Sequence, residues 1–531
     1  MKRNYKSDPL VKRFAGDPPA ITKQSHRVRA ATTFVAMALG ALTLFHGTLA
    51  RANAYAFDTT GFNAPHGFVW GRFGNGGNAY GRSITRLANG DTLVASLGPP
   101  CNGADQSNGM FNVGIERFSA SGQHLTFPNA GSSCGGDIAY PDDAASTYQY
   151  IRDIKDFNGT IYVMVDYAFS STDEDSHILS FHEDGSFVQA VRAFQTTMSE
   201  FGASLVPYQD GGGNNFITAV ATVYAPGAPH IRLTNFKVNA NGILSQNTGY
   251  GTNGFADESV NTCIQPHPCF SGAARAVAKQ YSNLAPAIGP DIYIVGEIQW
   301  NVVSGAVQDF NAIVMDVHAN GSLNGSFGTG ENPGVAMVAF NEEDQFEDHG
   351  HAIAVAPSCA GNCLTDDIWI VDEARTHCGI AVGVAKLDDA GHFVTSFGTG
   401  GELVFGGQLG APLCGGTIQE HPEGLVFDGA RLGIVGFEAR HFGASFFVDP
   451  ILAVVDAAEG GLIDFRTQPF FNLLGGNPPL ARWGDGSLFD VMANGDGTFT
   501  AAGQVHDDFF NVWNFAAARF GNDSIFANGF E

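Results

Sequence analysis

One pattern constrains this chain more than any other: it writes the same pair of hairpins seven times. The clearest trace is "SFGTG", present at Ser326–Gly330 and again at Ser396–Gly400. Each copy follows an apolar run and a polar turn, "FNAIVMDVHANGSL" from Phe310 and "IAVGVAKLDDAGHF" from Ile380. Weaker versions begin at Phe111, Ser176, Ile231, Pro450 and Asn514. Upstream of each lies a second unit, an alternating strand, a turn and a buried strand. These units begin at Gly81, Ile151, Ala203, Ala274, His351, Pro422 and Leu488. Apolar runs broken by Gly, Asn and Asp turns read as antiparallel strands. Four strands per unit in seven units predict an all-β chain folded as a seven-bladed β-propeller.

The ends fit a closed ring. The last unit stops at "NFAAARFGND", while "FDTTGFNAPHG" (Phe57–Gly67) supplies the half it lacks. The propeller is therefore expected over residues 55–523, closed by pairing of its N- and C-terminal strands. Closure removes open sheet edges. In the "SFGTG" turn, glycine supplies backbone angles other residues resist, and phenylalanine is expected to pack between blades.

Composition agrees. Gly is abundant at 68 residues, 44% of residues are hydrophobic and only 15% are charged, which suits short strands around a filled core rather than disorder. Residues 1–54 read differently. A basic stretch precedes the apolar run Ala30–Phe45, and Ala52-Asn53-Ala54 matches a small-x-small cleavage site. This predicts a signal peptide with an extended basic region, hence a secreted, periplasmic or cell-surface protein. Residues 1–54 carry nine Lys/Arg and two Asp/Glu of the 27 and 53 in the chain, so the remainder holds 18 basic and 51 acidic residues, a net of −33. Such a surface repels nucleic acid and anionic lipid, and excludes both as partners. No second run could span a membrane, and a monomer is expected.

The eight cysteines all lie in Gly-, Pro-, Asn- or Ser-rich stretches. In an exported chain they read as disulfides, with nearest-neighbour pairing Cys101–Cys134, Cys263–Cys269, Cys359–Cys363 and Cys378–Cys414.

The repeat resembles that of the delta-60 family of bacterial exported propellers, most closely at Asn514–Asp523, Asn320–Glu331 and Leu387–Glu402. The resemblance implies a propeller and export. It implies no catalytic motif. The tail at 524–531 looks like a short C-terminal tag of exported proteins.

A propeller's site is expected at the mouth of the central channel, which the first strands of the blades line. Their polar residues include Arg82, Arg152, Arg275 and His351, candidates for ligand binding, and Glu423, Asp490 and Asp153, candidates for holding calcium. The charged run Asn341–Val355, with His349 and His351, is a possible zinc site, and Ser170–His177 a weak calcium site. No Gly-x-Ser-x-Gly, His-Glu-x-x-His or phosphate-loop motif occurs. The reading is a binding or scaffold protein of the cell envelope or extracellular space, its ligand a protein or glycan. The alternative is a calcium-dependent hydrolase or lactonase at the channel mouth.

Overall fold

The computed structural model describes residues 62, 68–71, 78–98, 112–130, 134, 136–140, 148–170, 173–194, 196, 198–225, 228–258, 272–279, 291–301, 308–328, 333–340, 348–357, 365–376, 379–406, 418–442, 445–467, 471–472, 481–482, 485–507 and 512–521. The chain divides into Met1–Ala52 and Asn53–Glu531. The first unit, with the expected signal peptide, lies outside the described residues, as does the tail at 524–531.

Among the described residues there is no α-helix. The strands are β1 (Phe68–Gly71), β2 (Tyr80–Arg86), β3 (Thr92–Gly98), β4 (Asn112–Phe118), β5 (His124–Leu125), β6 (Ile138–Tyr140), β7 (Tyr148–Phe157), β8 (Thr160–Ser170), β9 (Asp173–His182), β10 (Phe187–Arg192), β11 (Glu200–Gln209), β12 (Asn215–Ala225), β13 (Ala228–Val238), β14 (Leu244–Gln246), β15 (Phe255–Glu258), β16 (Gly272–Lys279), β17 (Ile292–Asn301), β18 (Gln308–Val317), β19 (Val335–Val338), β20 (His349–Pro357), β21 (Asp366–Thr376), β22 (Gly379–Asp388), β23 (Glu402–Phe405), β24 (Ile418–Phe427), β25 (Arg431–Phe442), β26 (Ser445–Asp456), β27 (Leu462–Thr467), β28 (Phe471–Asn472), β29 (Ala481–Arg482), β30 (Gly486–Ala493), β31 (Phe499–Asp507) and β32 (Val512–Phe520).

Local sequence explains the hairpins. In "DFNGTI", Phe157 pairs with Thr160 across a two-residue turn. Asn158 and Gly159 both have positive φ, 53° and 76°, as a turn matching strand twist requires. The second strands are buried nearly end to end, as in β3 and β8. Both faces of such a strand are covered by neighbouring sheets.

The strands are arranged as a β-propeller. The innermost strands β2, β7, β11, β16, β20, β24 and β30 neighbour one another in that order, and β30 neighbours β2. Five sheets stand apart as blades: β2–β6, β7–β10, β11–β15, β16–β19 and β30–β32 with β1. The seven separate blades expected from sequence are not found as such. The strands from β20 to β27 form a single eight-stranded sheet, with β28 and β29 as a separate pair. The fusion is a short parallel pairing, Gly379 with Ile418 and Ile380 with Gln419. Gly379 permits it, because a Cβ there would lie 2.1 Å from the Ile418 carbonyl oxygen.

β1 pairs antiparallel with β32, Phe68 opposite Ala518, so an N-terminal strand completes the last sheet. That strand is Phe68–Gly71 rather than the Phe57–Gly67 stretch singled out in the sequence. From that stretch only Phe62 is described, and it is buried.

The core lies between blades. Each of seven hydrophobic clusters draws on two successive four-strand groups. Phe327 of the first "SFGTG" sits among Tyr293 and Val314 on one side and Ile353 and Ile368 on the other. Phe397 occupies the matching place in the next cluster. Each such buried side chain contributes roughly 1.5–3 kcal/mol relative to exposure. The glycine after each phenylalanine donates its N–H to the following hairpin, Gly328 to Ala390 O and Gly398 to Glu459 O, both at 2.8 Å. The repeated turn is thus an inter-blade stitch.

Cys134 is disulfide-bonded. The other seven cysteines lie outside the described residues, and with them the expected pairing.

Candidate functional site at the bulged inner strands

Every innermost strand carries one register shift against its neighbour. The shifts fall between Gly81 and Ser83, Ile151 and Asp153, Gly202 and Ser204, Ala274 and Ala276, Gly350 and Ala352, Pro422 and Gly424, and Leu488 and Asp490. The extra residues are Arg82, Arg152, Ala203, Arg275, His351, Glu423 and Phe489. A bulge re-aims the side chain it carries and often marks a functional rim. Five of the seven are residues the sequence singles out as channel-lining. The side chain of Arg275 lies outside the described residues.

The residues just after the bulges stitch neighbouring strands. Ser83 Oγ donates to Asp490 Oδ2 at 2.6 Å, and the Ile84 N–H donates to the same oxygen at 3.0 Å. Ser204 Oγ and the Leu205 N–H donate to Asp153 Oδ2 at 2.5 and 2.8 Å. Lys155 Nζ lies 2.7 Å from Asp153 Oδ1, and its charge also acts on Asp490. Asp153 and Asp490 therefore approach one another through Ser83, as the calcium reading requires. However, an ammonium group and hydroxyl and amide donors already serve them. Glu423 turns the other way, towards His351. The structure does not gather Glu423, Asp490 and Asp153 into one metal-ligating set.

The most polar stretch of the rim is built on β20, β21 and β24. His351 Nε2 is 3.1 Å from Glu373 Oε1, and its Nδ1 is 3.8 Å from Glu423 Oε2. His421 Nδ1 is 2.6 Å from Glu373 Oε1. Burial opposes the charge on His351, but Glu373 and Glu423 outweigh it and raise its pKa to about 10. Burial would raise Glu373, yet His351 and His421 hold it well below the usual carboxylate range. Beneath them Asp372 is fully buried, and burial, with Asp348 nearby, pushes it well above that range.

An acid at this position recurs. Asp166, Glu297 and Glu373 each stand opposite the residue two before a bulge, namely Tyr150, Ala273 and His349. Arg152 Nε donates to Asp166 at 2.5 Å, as His351 engages Glu373. His349 reaches Glu297 at 2.6 Å across two sheets. On the opposite arc, Arg82 lies over the Phe489 ring, 4.3 Å from its centroid, joining the extra residues of two neighbouring bulges. The inner strands thus carry Arg82 and Arg152 on one arc, and the His351 imidazolium beside Glu423 on another. This set can bind polar or charged groups by charge-assisted hydrogen bonds.

Sequence reasoning finds the bulge residues but not Glu373, His421, Lys155, Ser83 or Ser204. Their partners lie in other strands. The signal in the sequence is the histidines themselves, His349 and His351 on one inner strand and His421 two residues before Glu423 on the next. Of the run Asn341–Val355, residues 341–347 lie outside the described residues. Of Ser170–His177, residues 171–172 do. Among the described residues no helix is long and apolar enough to cross a membrane.

The chain matches no family model and no curated protein. Among solved structures it is similar to the extracellular region of plexin A4, with 9% identity and a TM-score of 0.45 over 86% of this chain and 40% of that one. It is similar to the α-L-arabinofuranosidase Arb93A of Fusarium graminearum, with 11% identity and a TM-score of 0.39 over 77% and 99%. A protein of unknown function from Dyadobacter fermentans matches with 8% identity and a TM-score of 0.36 over 71% and 94%.

Proposed function

We propose that the chain is an exported propeller of seven blades whose bulged inner rim binds a ligand, a protein or a glycan, at the cell envelope or outside the cell. In this reading the eight-stranded sheet counts as two blades. The cyclic order of seven innermost strands and the seven interblade clusters support that count. The delta-60-like repeat belongs to the same reading, supported by the matching stitches at Gly328 and Gly398.

The observation that carries the function is the coincidence of bulge and charge. Seven bulges at equivalent places would serve closure alone with any residue, yet five carry ionisable side chains. The calcium-dependent hydrolase has less support, since Lys155 stands where its cation would.

The test is a binding screen of the mature chain, residues 55–531, against glycans and envelope proteins. A ligand is expected whose affinity falls tenfold or more in Arg82→Ala and Glu423→Gln, with the melting temperature little changed. A ligand bound equally well by both variants would place recognition elsewhere and overturn the rim reading.

A further inference from the structure

The hairpin joining second and third strands recurs at the same register, so its positions can be compared across blades. In β3–β4, Asp91 stands two residues before Leu93, whose cross-strand partner is Arg117. Arg117 donates to Asp91 Oδ2 from Nε at 2.8 Å and from Nη2 at 2.6 Å. In β21–β22, Asp367 stands two residues before Trp369, whose partner is Lys386, and Lys386 Nζ lies 2.8 Å from Asp367. Lys237 in β13 and Arg519 in β32 hold the same position, opposite Phe216 and Thr500.

Two hairpins are neutral here, with Ser180 opposite Tyr162 and Val454 opposite Gly433, and one carries the opposite charge. In β17–β18, Asp291 stands two residues before Tyr293, but the partner of Tyr293 is Asp316. The acid is kept and the cation is replaced by a second acid. Asp316 has no exposed surface. Its Oδ2 accepts a hydrogen bond from Asn324 Nδ2 at 2.7 Å, while its Oδ1 is buried with no hydrogen-bond partner. His318 adds an imidazole, with Nδ1 2.8 Å from Asp291 Oδ1. One donor atom from each of Asp291, Asp316 and His318 lies within 4.8 Å of the others. A buried carboxylate oxygen without a donor, beside another carboxylate, is costly unless a positive charge joins it.

We propose that Asp291, Asp316 and His318 form a site for a divalent transition-metal ion of the zinc class, standing in for the arginine or lysine that four of the other hairpins hold there. Two carboxylates and an imidazole are a zinc-type donor set, whereas calcium requires six to eight oxygens. Asp291 and His318 are partly exposed, which leaves a fourth position open to water. Asn324 holds Asp316 from behind, as outer partners orient metal ligands. This site is independent of the rim and does not depend on the reading given to it.

The experiment uses the mature chain without an affinity tag, stripped with chelator. Bound zinc is measured by equilibrium dialysis, and melting is followed with zinc or calcium added. One zinc per chain is expected at these three residues, with a melting rise of roughly 2–4 °C at a hundredfold excess over Kd and none with calcium. Asp316→Lys, which installs the cation that four other hairpins hold, is expected to abolish uptake, and so is His318→Ala. Should Asp316→Lys fail to fold, His318→Ala decides alone. No zinc uptake by the wild-type chain, uptake unchanged in His318→Ala, or a rise with calcium but not zinc would each overturn the proposal.

Discussion

At the scale of single residues, His351 is the group whose environment most alters its chemistry. Its pKa is near 6.5 when unfolded and about 10 in place, because burial is outweighed by Glu373 and Glu423. A raised folded pKa means the proton stabilises the native state. That stability is fully present below about pH 6.5 and is lost as pH rises towards 10. The loss is on the order of 2–4 kcal/mol for a pair this enclosed. Urea denaturation at pH 6.5 and at pH 9.5 should show the difference in the wild-type chain. His351→Gln should be less stable at the lower pH and nearly flat between the two. An equal slope in both would remove His351 from the account. The candidate rim was half legible at this scale. Arg82, Arg152, Glu423 and His351 stand out as polar residues in inner strands. Glu373 and Lys155 do not, because a buried carboxylate or ammonium looks in sequence like any surface charge until its partner is known.

At the scale of elements, the "SFGTG" turn binds one blade to the next. Gly328 has φ of 86°, and a Cβ there would lie 2.0 Å from the Val335 carbonyl oxygen. Its N–H also reaches Ala390 in the next sheet. Gly400, in the second copy, has φ of 73° but open space around it. Gly400→Ala should therefore cost only backbone strain, about 1 kcal/mol, and Gly328→Ala appreciably more, ~3 kcal/mol. Chemical denaturation of the two variants checks the order, and equal costs would contradict the stitch. Strand and turn positions are legible here because the side-chain period of two and the Gly/Asn turns are local properties. The bulges are not, since each exists only relative to the strand beside it. Nor is the fusion of β22 with β24, which depends on Gly379 meeting Ile418 across 39 residues of chain.

At the scale of the whole molecule, closure rests on β1. Without it β32 would present an open edge, and the core around Phe68 and Val69 would lose one wall. A chain beginning at Gly77 should melt well below the chain beginning at residue 55 and should associate on warming. Light scattering during a thermal ramp reads both effects. An unchanged melting curve would mean that the remaining three strands hold the last sheet unaided.

The order of residues was enough for the all-β class, the four-strand grouping and the completion of the last sheet by the N-terminal region. Each follows from hydrophobic period, turn chemistry and repetition, which are carried by neighbouring residues. Which charges meet is a matter of the three-dimensional arrangement. It set Lys155 against Asp153 with Asp490 near enough to act on its charge, turned Glu423 to His351, fused two groups into one sheet, and left Asp316 beside Asp291 where four other hairpins hold a cation. Those outcomes depend on distances between residues far apart in the chain, and Coulomb energy and hydrogen bonding act on distance and burial, not on order in sequence.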